Sequence, residues 1–238
     1  MSTLSGGPNI ITDGLVLYLD AGNTYSYTSG STVWNDLSRS MLSGSLINGP
    51  TFNTGSGGSI VFDGTNDYVL FNSDKSTTNL TIGAWFKSSV VDSNWRKILI
   101  FPYGANTWLP PYSSYQITTY QNQVGVSFNV TSDYTIGYLP DTSFTAVANT
   151  WYNVIGTFNS GIIKIYVNGV LKGTKDVTSS GTSILYTSRT QALLGTDAEY
   201  FILETFAGFI SNVQIYNRTL SASEVLQNYN STKGRFGL

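Results

Sequence analysis

The sequence contains no cysteine and no histidine. Those absences remove disulfide frameworks, thiolate and imidazole metal sites, cysteine nucleophiles and every catalytic triad that relays protons through imidazole. Charge is scarce too: 12 basic and 14 acidic residues are 11% of a 238-residue chain, with a formal net charge of −2. Without a basic footprint, nucleic acid is excluded as a partner. The longest wholly apolar runs, such as Leu15-Val16-Leu17-Tyr18-Leu19 and Ile98-Leu99-Ile100-Phe101, fall far short of the ~20 residues a membrane helix needs. The chain is therefore expected to be soluble and to make no membrane contact. Its first residues, Met1 to Pro8, have neither the cationic start nor the apolar stretch of a secretory signal. It is expected to work where it is made, or to leave the cell inside a particle.

Aromatic residues supply 14% of the chain, and the remaining surface is expected to be Ser, Thr, Asn, Gly and Tyr rather than a Lys/Glu coat. Short β-branched and aromatic runs alternate with Gly, Asn, Asp and Ser, which reads as all-β. The runs at 15–19, 59–62, 68–71, 82–87, 96–101, 115–120, 124–130, 192–195 and 206–216 have strand chemistry. A meander is expected over 151–175, because Asn168-Gly169 readily takes the positive φ angles of a type I′ turn. Roughly a dozen strands exceed what one open twisted sheet comfortably holds, so two antiparallel sheets should stack face to face. Ser221-Ala222-Ser223-Glu224 is a capping box that predicts a short C-terminal helix. Val225, Leu226 and Tyr229 are expected on the sandwich, with Gln227 and Asn228 toward water. No linker divides the chain, so 1–238 reads as one domain, with an N-terminal arm over 1–12 and a C-terminal tail over 231–238. Gly55-Ser56-Gly57-Gly58 reads as a flexible loop.

Ile60 to Val69, Leu80 to Phe86, Trp151 to Val154 with Tyr166 to Gly169, and above all Phe206 to Ser221 with Glu224 resemble successive strand motifs of laminin-G-like, concanavalin A-like jelly-roll domains. The resemblance implies a two-sheet jelly roll closed by a short helix. Asp13 to Asn23 and Trp34-Asn35-Asp36-Leu37-Ser38 further resemble stand-alone domains of tailed-phage structural proteins. That resemblance implies a virion component, assembled in the host cytoplasm.

The catalytic Glu-x-Asp-x-x-Glu strand of the hydrolases among these folds is absent, and glutamate occurs only at 199, 204 and 224; no enzyme is expected. No cofactor is called for, calcium excepted. Asp63, Asn66 and Asp67 offer hard oxygen ligands of the kind calcium takes. The same pattern makes an Asx-type hairpin turn, which it favours because calcium wants 6–8 oxygens. Between two strand runs, Phe101 to Tyr115 gathers rings and prolines. Its Tyr103, Trp108, Tyr112 and Tyr115 are candidates to meet a sugar face or a neighbouring subunit, unless the loop packs on its own sandwich. Arg218 is expected to anchor the helix through Glu224, and the tail either to fray or, through Phe236, to dock on a neighbour.

The leading expectation is a non-enzymatic phage virion structural protein, a capsid decoration or a tail or fibre component. Its partners would be other virion proteins, further copies of itself and a cell-surface glycan. The alternative is a free carbohydrate-binding, lectin-like module.

Overall fold

The structure, a computed structural model, describes residues 9–104, 111–131, 136–138, 144–197 and 204–238, with backbone alone at 137 and 138. In chain order the strands are β1 (Leu15–Asp20), β2 (Val33–Trp34), β3 (Gly44–Ile47), β4 (Thr51–Asn53), β5 (Ser59–Asp63), β6 (Tyr68–Asn72), β7 (Asn79–Ser88) and β8 (Arg96–Pro102). They continue with β9 (Ser113–Tyr120), β10 (Gln123–Phe128), β11 (Ile136–Tyr138), β12 (Trp151–Asn159), β13 (Ile162–Val167), β14 (Val170–Asp176), β15 (Gln191–Leu194) and β16 (Ala207–Tyr216). One helix, α1 (Ala222–Thr232), follows, and a 3-10 turn at Lys233–Phe236 ends the chain.

These strands form two eight-stranded antiparallel sheets among the described residues. The first runs β14-β13-β12-β7-β16-β5-β4, with β1 also paired to β16; the second runs β11-β10-β9-β8-β15-β6-β3-β2. Alternation decides which side of each strand is buried. Along β9 and β10 the inward members Tyr115, Ile117, Val124, Val126 and Phe128 are at most 1% exposed. They meet Phe86, Val154 and Phe158 of the first sheet in one continuous core. The Asn-Gly hairpin forms where the sequence predicts it: Asn168 and Gly169 have φ of 52° and 77°, and Val167 pairs with Val170.

Four short strands, β2, β3, β4 and β11, carry no clear sequence signal, because segments of two to four residues are too brief to show a period of two. The helix is capped as predicted, with Ser221 Oγ accepting from the Glu224 amide and the Glu224 carboxylate accepting from the Ser221 amide. Its buried face differs from the predicted one. Val225, Asn228 and Thr232 point inward, while Leu226 is 45% exposed. The cause is a buried hydrogen-bond set: the Asn228 amide donates to Gln214 Oε1 and the Tyr216 hydroxyl, and its Oδ1 accepts from the Ile11 amide. Those bonds orient the helix by polar pairing rather than by its apolar stripe.

The tail neither frays nor waits for a neighbour. Phe236 stacks on Trp85 at 4.0 Å between ring centroids and packs against Trp151 at 4.8 Å. Tyr229 covers another part of Trp85 at 5.7 Å. The indole of Trp85, fully buried on the outer face of the first sheet, donates to Thr232 Oγ1. The last residues thus complete a second layer over that sheet. Phe236→Ala should lower unfolding free energy by about 2 kcal/mol, below the 3–5 kcal/mol typical of a fully buried phenylalanine, because this ring is half-buried. Urea melts followed by tryptophan fluorescence check it; an unchanged midpoint would show that the tail contributes nothing to the fold.

Candidate functional site

A shallow concavity among the described residues lies beside the end of β1. There Asp20 is buried, and its carboxylate is satisfied from three directions. The Gly22 amide and the Tyr18 hydroxyl each donate to it at 2.9 Å, and Arg235 Nη1 donates to both oxygens at 2.8 and 2.9 Å. The backbone amide of Asp20 donates to Ser26 Oγ, and the amides of Ser26 and Tyr27 donate to the Asn23 carbonyl. This compact loop turns the Tyr27 ring down onto Phe52 of β4, with centroids 5.3 Å apart.

The facing wall is the β4–β5 turn. The residues read from sequence as a flexible loop form a 3-10 turn, Gly55–Gly57, with Ser56, Gly57 and Gly58 all at positive φ. The Trp151 indole donates to Ser56 Oγ at 3.0 Å, Ser211 Oγ donates to the Gly58 carbonyl at 2.7 Å, and Arg235 Nη2 reaches the Gly57 carbonyl at 3.4 Å. Close approach demands glycine here: a Cβ on Gly22 would lie 2.1 Å from the Gly57 carbonyl, and one on Gly58 would lie 2.5 Å from the Ala21 carbonyl. Between the two walls is an open groove of about 310 Å³, lined by the partly exposed Phe52, a sliver of the buried Tyr27, and the exposed Thr24, Thr28, Ser29 and Thr54. Sequence reasoning missed it because its parts lie at 21–29, 52–58 and 235. The available signal was Thr24-Tyr25-Ser26-Tyr27-Thr28-Ser29, a dense run of hydroxyls and rings.

The aromatic candidates are divided by the structure. Trp108 lies outside the described residues. Tyr103 and Tyr112 face one another across the mouth of the β8–β9 hairpin; the Tyr103 amide donates to the Tyr112 carbonyl, and Thr187 Oγ1 donates to the Tyr103 carbonyl. Tyr112 is 42% exposed. Tyr115 is no surface residue: it is fully buried in the core, bonded to Ser73 Oγ at 2.6 Å and packed on Phe101 and Tyr186. Strand alternation turns it inward, and burial raises the pKa of its phenol.

The proposed calcium residues lie where β5 of the first sheet turns into β6 of the second. Asp63 Oδ1 accepts from the amides of Thr65 and Asn66, and Asp67 Oδ2 accepts from the Asp63 amide. This is the Asx-type turn, and the Asn66 carbonyl is taken by the Asn48 amide side chain. The amide bonds, that of Thr65 first, hold Asp63 below the usual carboxylate range, whereas burial raises Asp67. Among the described residues no group of three or more acidic side chains converges as a metal cage.

Trp95 stacks on Tyr120 at 4.2 Å, and the Lys97 ammonium, ion-paired to Glu204 at 2.7 Å, sits over the Trp95 ring. Elsewhere the acidic groups are likewise engaged in the fold. Asp92 pairs with Arg96 at 2.7 Å, Asp36 accepts from the amides of Tyr18, Ser38 and Leu42, and Arg218 holds both Asp13 and Glu224. The Arg218 hydrogen bond is the largest cause lowering Glu224 to about 2. A carboxyl so stabilised as an anion does not serve as a proton donor near neutral pH.

A folded-state pKa below the unfolded one stabilises above the unfolded value, and that stability is lost as pH falls through the folded value. Glu224 therefore contributes fully above its ordinary value of 4.5 and loses that contribution as pH drops to about 2. Glu224→Gln, which retains a side chain able to close the capping box, should reduce the fall in stability across that window. Chemical denaturation at successive pH values measures this, and an unaltered slope in the variant would refute the role given to the pair.

The sequence profile of the concanavalin A-like lectin/glucanases superfamily, of the laminin-G type, matches residues 63–226. No curated protein matches the chain in sequence. Similar solved structures include the receptor-binding domain of botulinum neurotoxin C/D mosaic serotype, with a TM-score of 0.70 at 17% identity, covering 92% of this chain and 51% of that one. The ligand-binding domain of botulinum neurotoxin serotype D in complex with N-acetylneuraminic acid gives 0.69 at 17%, covering 92% and 51%. The type G receptor-binding domain gives 0.65 at 16%, covering 91% and 51%. The chain thus spans about half the length of these neighbours, and at such identity the likeness is one of fold. Profile and architecture agree with the two stacked antiparallel sheets and the closing helix: the chain belongs to the concanavalin A-like lectin/glucanases superfamily.

Proposed function

We propose that the chain is a non-catalytic, lectin-like module that binds carbohydrate. The superfamily embraces binding and hydrolysis, and the state of the described carboxylates supports binding. Glycoside hydrolysis needs two carboxyl groups facing each other across a sugar bond, one of them able to donate a proton. Here the acidic side chains among the described residues bind arginines or lysines, or accept from backbone amides or from neighbouring hydroxyls. That engagement is the single observation that carries the reading. The sialic acid bound by the serotype D neurotoxin domain supports the same class of ligand. Glycan binding, the alternative in the sequence reading, thereby moves ahead of a purely structural role.

We further propose that the module serves on a tailed-phage virion, as a decoration or a tail component. The motifs at Asp13 to Asn23 and Trp34 to Ser38 support this setting, as does a surface on which uncharged polar groups outnumber charges. Contacts to other virion proteins and to further copies of the chain belong to this proposal, with Tyr103 and Tyr112 as contact residues.

A glycan array probed with the full chain should show saturable signals for at least one carbohydrate class, without loss of the arrayed sugar on prolonged incubation. Silence across the array would remove the lectin reading, and released sugar would restore the hydrolase. Mass spectrometry of purified virions from a phage carrying the gene should detect the protein in the particle; its absence there would end the virion assignment.

A further inference from the structure

We infer that the groove between the Ala21–Ser29 loop and the β4–β5 turn is a carbohydrate site, and that its ligand is a terminal, uncharged sugar residue. The inference rests on the lectin reading above and adds the place and the ligand class. Three observations carry it.

The groove's chemistry is that of a neutral sugar. Its apolar wall is the partly exposed Phe52 ring, backed by the buried Tyr27 ring, and an apolar surface of this kind suits the C–H face of a pyranose. Its rim carries the exposed hydroxyls of Thr24, Thr28, Ser29 and Thr54, none of which has a hydrogen-bond partner among the described residues. Hydroxyls just outside the groove are engaged: Ser26 Oγ donates to the Asn35 carbonyl, Ser31 Oγ to the Val33 carbonyl, and Ser211 Oγ to the Gly58 carbonyl.

The groove also carries no unbalanced charge. The nearest cation, Arg235, is held by both oxygens of Asp20. An anionic sugar would find no free cation among the lining residues, whereas an uncharged one has only hydroxyls to desolvate, which costs far less than stripping water from an unpaired charge.

Finally, the site is rigid and of the right size. Both walls are pinned by hydrogen bonds, which Trp151, Ser211 and Arg235 donate to the β4–β5 turn and the Gly22 amide donates to Asp20, so little order has to be imposed on binding. A volume of about 310 Å³ lies at the lower limit of small-ligand pockets and accommodates a chain end rather than a long polymer.

The test is an amide NMR titration of the full chain with neutral tetrasaccharides built from glucose, mannose, galactose or N-acetylglucosamine, and with sialyllactose as the anionic probe. At least one neutral probe should shift the amides of Gly22, Thr54, Gly57 and Gly58 saturably, and more tightly than sialyllactose does. Thr54→Trp, which fills the groove from an exposed position, should weaken that binding by about tenfold or more while the melting temperature holds. Thr28→Trp serves as the second variant if the first does not fold. Neutral-sugar binding that spares these amides and survives the substitution would overturn the groove assignment while leaving the lectin reading intact. Preferred binding of sialyllactose in the groove would overturn the ligand class. Failure of every probe to bind, against a positive glycan array, would likewise overturn the site; with a silent array it would remove the lectin reading too. Concentration-dependent shifts of the same amides without sugar would identify a second copy of the chain as the occupant and refute the inference.

Discussion

A buried carboxylate needs a partner, and Asp20 is the place where this protein meets that constraint most completely. Leaving such an anion unpaired would cost on the order of 3–5 kcal/mol. Its partner is Arg235, close to the end of a 238-residue chain. To reach Asp20, the tail must cross the outer face of the first sheet, and in crossing it lays Phe236 on Trp85 and Trp151. The same guanidinium touches the Gly57 carbonyl and Ser211 Oγ. One ion pair therefore joins the end of β1, the β4–β5 turn, β16 and the tail, and it fixes both walls of the groove.

Scarcity of charge acts on function through the same economy. With so few acids and bases, the fold assigns them to caps, turns and inter-element clamps, as Glu204 with Lys97 and Glu224 with Arg218 show. What remains for recognition is rings, hydroxyls and backbone. Such groups bind by shape and by neutral hydrogen bonds, with modest desolvation. These are the materials on which the proposed binding role would draw, within a superfamily that includes both lectins and glucanases.

Much of this was legible in the sequence wherever the controlling interaction is local. Asn168-Gly169 encodes its own turn, and Ser221 with Glu224 encodes its own helix start, since each needs only residues a few positions apart. The runs that become β1, β5 to β10, β12 to β14 and β16 show their strand chemistry because they are five residues or longer, and four-residue β15 does so because Ala192, Leu193 and Leu194 are all apolar. The orientation of α1 was not legible, because Asn228 is turned inward by Gln214, Tyr216 and Ile11, which are distant in sequence. Tyr115 looked like one more ring of an aromatic loop, but it begins the buried side of β9. The Gly55–Gly58 turn looked flexible by composition; its glycines answer instead to close backbone approach. The groove lay beyond sequence reasoning altogether, since it exists only where three remote segments are clamped together.

The central claim, that this sandwich holds sugars without cutting them, is tested most directly by a crystal structure of the protein grown with a neutral oligosaccharide. The account predicts an intact sugar whose terminal ring lies against Phe52, its hydroxyls bonded to Thr24, Thr28 or Thr54. A cleaved product, or a sugar bond held between two carboxylates, would contradict it.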